Sequence, residues 1–205
     1  MTFETYPKTW IIAVLITFSV TLTAVSCKRS GGGGVFGPAD DTQEAVKLVD
    51  AANEDLTKIK VLYDENEGKR QELKSAMEKN DAATAKKIAD DVVYLINDGA
   101  SSGNDAVDKI QKAQEMNIND DYREYLRLKE ESLKLQLEAF EQYRMAARTL
   151  RDNYDPKNDV LREKVKEEFK SRSDNYRTLM EKARDYSSRA NELYKAVLRK
   201  QTAAN

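Results

Sequence analysis

Residues 120–156 read DDYREYLRLKEESLKLQLEAFEQYRMAARTLRDNYDP. Leu126, Leu133, Phe140, Ala147 and Tyr154 recur at seven-residue intervals, with Tyr122, Leu137, Tyr143 and Leu150 beside them. Apolar positions spaced by three and four lie on one face of a helix. No glycine or proline interrupts the run before Asp155-Pro156. There the residue before proline is pushed out of the helical region, and the helix stops. A helix of about 35 residues is roughly 50 Å long at 1.5 Å per residue, so its apolar stripe needs long partners to cover it.

Those partners lie on either side. Downstream, Leu161, Val165, Phe169, Ser173, Tyr176, Leu179, Ala183, Tyr186, Ala190, Leu193 and Val197 keep the same spacing, with Ser173 the one polar member. Upstream, Ala85, Ile88, Val92, Leu95, Gly99, Gly103, Ala106, Ile110 and Ala113 form a second stripe. Its period passes unbroken through Gly99-Ala-Ser-Ser-Gly103, which predicts one helix with a thin waist. Two uses compete for that waist: close approach of a neighbouring helix, or a ligand seated against Gly99 and Gly103. The first stripe is Ala45, Leu48, Ala52, Leu56, Ile59, Leu62, Leu73 and Met77. It is poorest at Asn66–Arg70, around Gly68, where bending or fraying is expected. Asp41 and Glu44 have the spacing of a capping box. Asn80-Asp81 and Asn117–Asp120 read as turns that cap the next helix.

The prediction is an all-α fold. It is an elongated antiparallel up-down-up-down four-helix bundle with helices near 41–79, 82–115, 120–154 and 157–198. The bundle domain spans 41–200, and 201–205 is a tail expected to fray. Residues 40–120 carry 11 basic and 19 acidic side chains, residues 121–205 carry 20 and 16. The first hairpin is therefore acidic and the second basic, which favours their docking on each other.

Composition closes several functional classes. The chain has no histidine, so the usual general base and the commonest transition-metal ligand are missing. A carboxylate-bridged di-iron site in a helical bundle also uses Glu-x-x-His pairs. A single cysteine gives neither an intramolecular disulfide nor a thiolate cluster. The net charge of −2 offers no basic face to a nucleic acid. Asn119-Asp120-Asp121 and the group Asp152, Asp155, Asn158 and Asp159 are oxygen-rich, but neither fits a twelve-residue calcium loop, and both fall where helix caps belong. Tyr122, Tyr143, Tyr154, Tyr176 and Tyr186 lie on the stripes, as partly buried rings whose hydroxyls reach the bundle edge. Neither a cofactor, a metal site nor catalytic residues are expected.

The remaining landmark precedes the bundle. Residues 10–26 are free of charge, from Trp10 to Ser26, and Cys27 follows. Lys28–Asp40, KRSGGGGVFGPAD, reads as a flexible tether with a reach of about 20 Å. Gly31–Gly34 lack the strand and the Lys-Ser/Thr ending of a phosphate loop. Ala24-Val25-Ser26-Cys27 resembles the signal of bacterial lipoproteins, in a relaxed form with Ala24 in place of leucine. The resemblance covers only the leader. It implies acyl chains on Cys27, cleavage after Ser26, residues 1–26 removed and residues 27–40 left as lipidated cysteine and tether. It also implies an extracytoplasmic protein held on a membrane of the bacterial envelope, with Lys28 pointing to the outer membrane. The function expected is a non-catalytic interaction or scaffold module with a protein partner. The alternatives are a ligand-sensing or chaperone-like bundle using the waist, and an uncleaved single-span anchor. The anchor draws on Lys28 and Arg29, which outnumber Lys8 before the apolar run.

Overall fold

The computed structural model describes residues 41–203. The expectations for Ala24, Val25, Ser26, Cys27 and the tether lie outside the described residues. Four helices make up the rest: α1 Thr42–Glu78, α2 Ala82–Gln114, α3 Asp120–Asn153 and α4 Asp159–Ala203. The fold is an all-α helical bundle, and each helix falls where an apolar stripe was read. Among the described residues no helix is long and apolar enough to cross a membrane.

Contacts between successive helices run in opposing order. Between α1 and α2, Asp55 meets Lys109, Leu62 faces Gly99, and Lys69 pairs with Asp91. Between α2 and α3, Gln111 and Gln114 meet Glu130, Gly103 faces Leu137, and Asp90 meets Arg151. Between α3 and α4, Tyr125 meets Tyr194, Phe140 meets Tyr176, and Tyr143 meets Phe169. Numbers rise on one helix as they fall on the next. Backbones come within 8 Å of each other in these three pairs, and not between α1 and α4. Nor do the backbones of α1 and α3 approach so closely, but side chains reach across: the Arg70 guanidinium of α1 lies 5.9 Å from the centre of the Tyr143 ring on α3.

Seven-residue spacing organises the buried stripes. On α2 one register is Ala85, Val92, Gly99, Ala106 and Ala113, and the next is Ala89, Ile96, Gly103 and Ile110, all buried. This is the repeat of helices that wind gently about one another. On α4, Ala183, Ala190 and Val197 are buried at the same interval.

The ends correct some sequence expectations and match others. Asp41 makes no side-chain cap, and no capping box forms. Instead its Oδ2 accepts from the Asn117 N–H at 3.0 Å, and its own N–H donates to the Asn117 carbonyl at 3.3 Å. Glu44 turns to Lys47 at 2.8 Å. A carboxylate that ties two chain segments together cannot also reach its own first turn. The helix also runs unbroken through Asn66–Arg70, without the expected fraying. At the far end α4 continues to Ala203, through part of the stretch read as a tail.

The cap expectations hold at the other turns. Asp81 accepts from the Thr84 N–H at 3.0 Å, and Asn80 takes the left-handed conformation at φ 55°. Asn119 Oδ1 accepts from the Tyr122 N–H at 2.7 Å. Asn158 Oδ1 accepts from the Leu161 N–H at 3.1 Å, and Asp155 from the Lys157 N–H at 2.9 Å. The tyrosines divide. Tyr122 and Tyr154 are buried, while Tyr143, Tyr176 and Tyr186 are partly so. Burial and the nearby Asp50 carboxylate push the Tyr122 phenol up to about 12.

Candidate functional site at the glycine waist

Gly99 and Gly103 are both buried in a continuous α2, so the waist is a helix and not a break. Their surroundings differ. A Cβ on Gly103 would collide with Leu137 Cδ2 of α3, and it would stand only 3.2 Å from Leu137 Cγ. The missing side chain of Gly103 is what makes room for Leu137 of α3. A Cβ on Gly99 would find Leu62 Cδ1 of α1 at 3.7 Å, an ordinary van der Waals distance.

Gly99 borders a small recess between α1, α2 and α3. Ile59, Leu62, Asn66, Leu95, Ile96 and Phe140 complete its walls. The space is about 20 Å³. That is room for about one water, well below the roughly 300–1,000 Å³ of pockets that take small organic ligands. Asn66 continues the register Ala45, Ala52, Ile59, Asn66 and Leu73 along α1. It is 94% buried by its exposure of 6%, and its Oδ1 has no hydrogen-bond partner. Polar atoms in such a position cost stability unless something donates to them. The waist thus joins a close helix crossing at Gly103 to a poorly satisfied polar spot opposite Gly99.

Buried polar groups also stand in the three seams. Between α1 and α2, Asp55 accepts from Lys109 and, at 3.0 Å, from Lys58. Burial pushes the Asp55 carboxyl up, but the hydrogen bonds from Lys109 and Lys58 outweigh it and hold the group below its ordinary value. Between α2 and α3, Glu130 accepts from Gln111 Nε2 at 2.7 Å and Gln114 Nε2 at 2.6 Å, and Lys134 pairs with it. Burial raises the Glu130 carboxyl, but those donors, led by Lys134, bring it below the ordinary value.

The seam between α3 and α4 is built differently. Lys129 is 1% exposed, and its ammonium donates to Asn191 Oδ1 at 3.1 Å. It lies 5.6 Å from the Tyr125 ring centre. No carboxylate pairs with it, and burial alone pulls its pKa down to about 8. One turn on, Ser132 Oγ donates to the Ala183 carbonyl at 2.8 Å and accepts from Gln136 Nε2 at 3.1 Å. Gln136 Oε1 is buried without a partner.

Asp55, Glu130, Lys129 and Gln136 were not singled out as buried groups by the reading of the chain. A signal existed for two of them. Tyr122, Lys129, Gln136, Tyr143 and Leu150 are themselves a seven-residue register. Asp55 and Glu130 carry no such mark, because only the pairing of one helix with the next supplies their donors. Of the oxygen-rich groups expected at turns, Asn119 and Asn158 cap helices, Asp155 closes a turn, and Asp120, Asp152 and Asp159 pair with Arg123, Arg151 and Arg162; no cluster of potential metal ligands occurs among the described residues. No protein-family model, no curated protein and no solved structure matches this chain.

Proposed function

We propose that this chain is a lipid-anchored helical bundle of a bacterial cell envelope, acting outside the cytoplasm as a non-catalytic interaction or scaffold module. Cys27 carries the reading. It is the sole cysteine, it ends the uncharged run from Trp10 to Ser26, and small residues precede it. Two or three acyl chains hold a protein on a membrane stably, where a single chain does not.

The bundle supports a spacer role. Asp41, where the tether joins, is hydrogen-bonded to Asn117 in the turn between α2 and α3. The turns at 79–81 and 154–158 then stand at the opposite end. With 37 residues, α1 sets these ends about 55 Å apart. An anchored rod of this form presents its distal turns and long exposed faces to a protein partner.

Cys27→Ala tests the reading. The variant should accumulate as an unprocessed precursor that takes up no radiolabelled palmitate, and so should the wild type under globomycin. Normal processing without Cys27 overturns the proposal. The competing reading, an uncleaved anchor, draws on Lys28 and Arg29 after the apolar run. It requires an intact N-terminus on the mature protein, which mass spectrometry of the purified chain detects.

A further inference from the structure

We propose that α4 is a releasable strap: it swings off α3 as a unit while α1, α2 and α3 stay folded, and protonation of the amine of Lys129 favours release. The inference is independent of the anchor, since it concerns only the bundle.

Three observations converge on α4. Its backbone approaches α3 alone, as that of α1 approaches α2 alone, whereas α2 and α3 each have two close neighbours. Its buried apolar residues are Val165, Ala183, Ala190 and Val197, which are small, and its larger ones, Phe169, Tyr176, Tyr186, Leu193 and Tyr194, are only partly buried, while α3 buries Leu126, Leu128, Leu133, Phe140 and Leu150. Apolar area removed from water scales with side-chain size, so α4 is held by less of it. Finally, the seam encloses Lys129, Ser132 and Gln136, and two of these are poorly served. Gln136 Oε1 has no partner, and the Lys129 ammonium has an amide oxygen where the other buried charges have counter-charges.

The surroundings of Lys129 give the direction of the effect. From α4, Asn191 Oδ1 receives its hydrogen bond, and Tyr194 packs on the Tyr125 ring that lies beside it. On its own helix Glu130 and Lys134 pair with each other, and Glu124 pairs with Arg127. From α2, Gln111 and Gln114 are committed to Glu130. On α4, Arg189 lies over the Tyr186 ring. No carboxylate is left to compensate a proton on Lys129. An ammonium shut away from water in this way loses hydration that docking does not return. Releasing α4 returns it. The open state therefore binds the proton more tightly, and acidification from the alkaline side shifts the balance toward it.

Hydrogen exchange on the full chain tests this. At pH 7 the amides of α4 should exchange through an opening that leaves α1 and α2 protected. Their protection factors should rise about tenfold between pH 7 and pH 9, given the lysine's fall from 10.5 to about 8. Lys129→Met should raise α4 protection at pH 7 by at least about tenfold and remove the pH dependence, with α1 still the better protected of the two. Asn191→Asp supplies a carboxylate instead. It should raise α4 protection at pH 7 when Lys129 is present and lower it in the Lys129→Met background. Exchange of all four helices at one rate overturns the proposal. So does a failure of Asn191→Asp to protect α4 in the presence of Lys129, which decides the matter if methionine packs badly.

Discussion

The seam between α1 and α2 and the seam between α3 and α4 each bury a charge, and they treat it in opposite ways. Asp55 has two ammonium partners, Lys109 and Lys58, and its carboxyl is held below the ordinary value. Lys129 is more completely enclosed, yet it has the Asn191 amide and the Tyr125 ring in place of a counter-charge. A buried charge with its partners fixes register, because sliding one helix along the other would strand it. A buried charge without a counter-charge taxes the contact that encloses it. Two helix pairs with similar apolar periodicity thus differ in how firmly they are closed.

The largest expected effect comes from unmatching the matched pair and unloading the other. Lys129→Met should stabilise the bundle by up to about 3 kcal/mol at pH 7, from a shift of 10.5 to about 8 at 1.36 kcal/mol per unit. Asp55→Ala should destabilise it by about 2 kcal/mol, below the usual figure for a broken buried pair because both lysines can turn to water. Denaturant titration measures both, and equal signs for the two variants would dissolve the contrast.

The same contrast predicts two limbs in stability against pH. Lys129 has a depressed pKa in the folded state, so its penalty is complete below about pH 8 and fades as pH rises toward 10.5. Stability should therefore climb across that window, and Lys129→Met should abolish the climb. Asp55 is depressed in the acidic sense. Its contribution is present above the ordinary carboxylate pKa of 3.8 and is lost as pH falls through the lower folded value. Asp55→Asn should flatten part of that acid limb, and Glu130, also held below its ordinary value, contributes another part. Thermal unfolding across pH 2–10 checks both limbs.

The smallest effects separate the two glycines. Gly103→Ala should cost about 1–2 kcal/mol, because Leu137 must move. Gly99→Ala should be neutral or stabilising by up to about 1 kcal/mol, from helix propensity and the ordinary contact with Leu62. If Gly99→Ala proves as costly as Gly103→Ala, the recess beside Asn66 is closed more tightly than its walls imply.

These positions also show what could be read from the chain. The helices were legible because apolar residues repeat every three and four positions and polar caps interrupt them at Asp81, Asn119 and Asn158. The stripe of α3 was legible too, but attention to apolar members passed over Lys129 and Gln136 in the same register. Asn66 was noticed only as part of a weak patch, although it continues a register of α1. Other features were beyond reach for a physical reason. The donors of Asp55 and Glu130 come from neighbouring helices, and Asp41 meets a residue 76 positions away. Local spacing made Asp41 a cap; tertiary geometry made it a tie.

That tie has a mechanical consequence. Arg123 braces the turn to which Asp41 is fixed, donating to the carbonyls of Gln114, Met116 and Ile118 at 3.1, 3.2 and 3.2 Å. A pull on the chain that enters at Asp41 is therefore shared at once with the root of the second hairpin. Two hydrogen bonds loaded side by side must break before the first turn of α1 can peel away. The start of α1 is thus a reinforced joint, and a load applied there reaches both hairpins together.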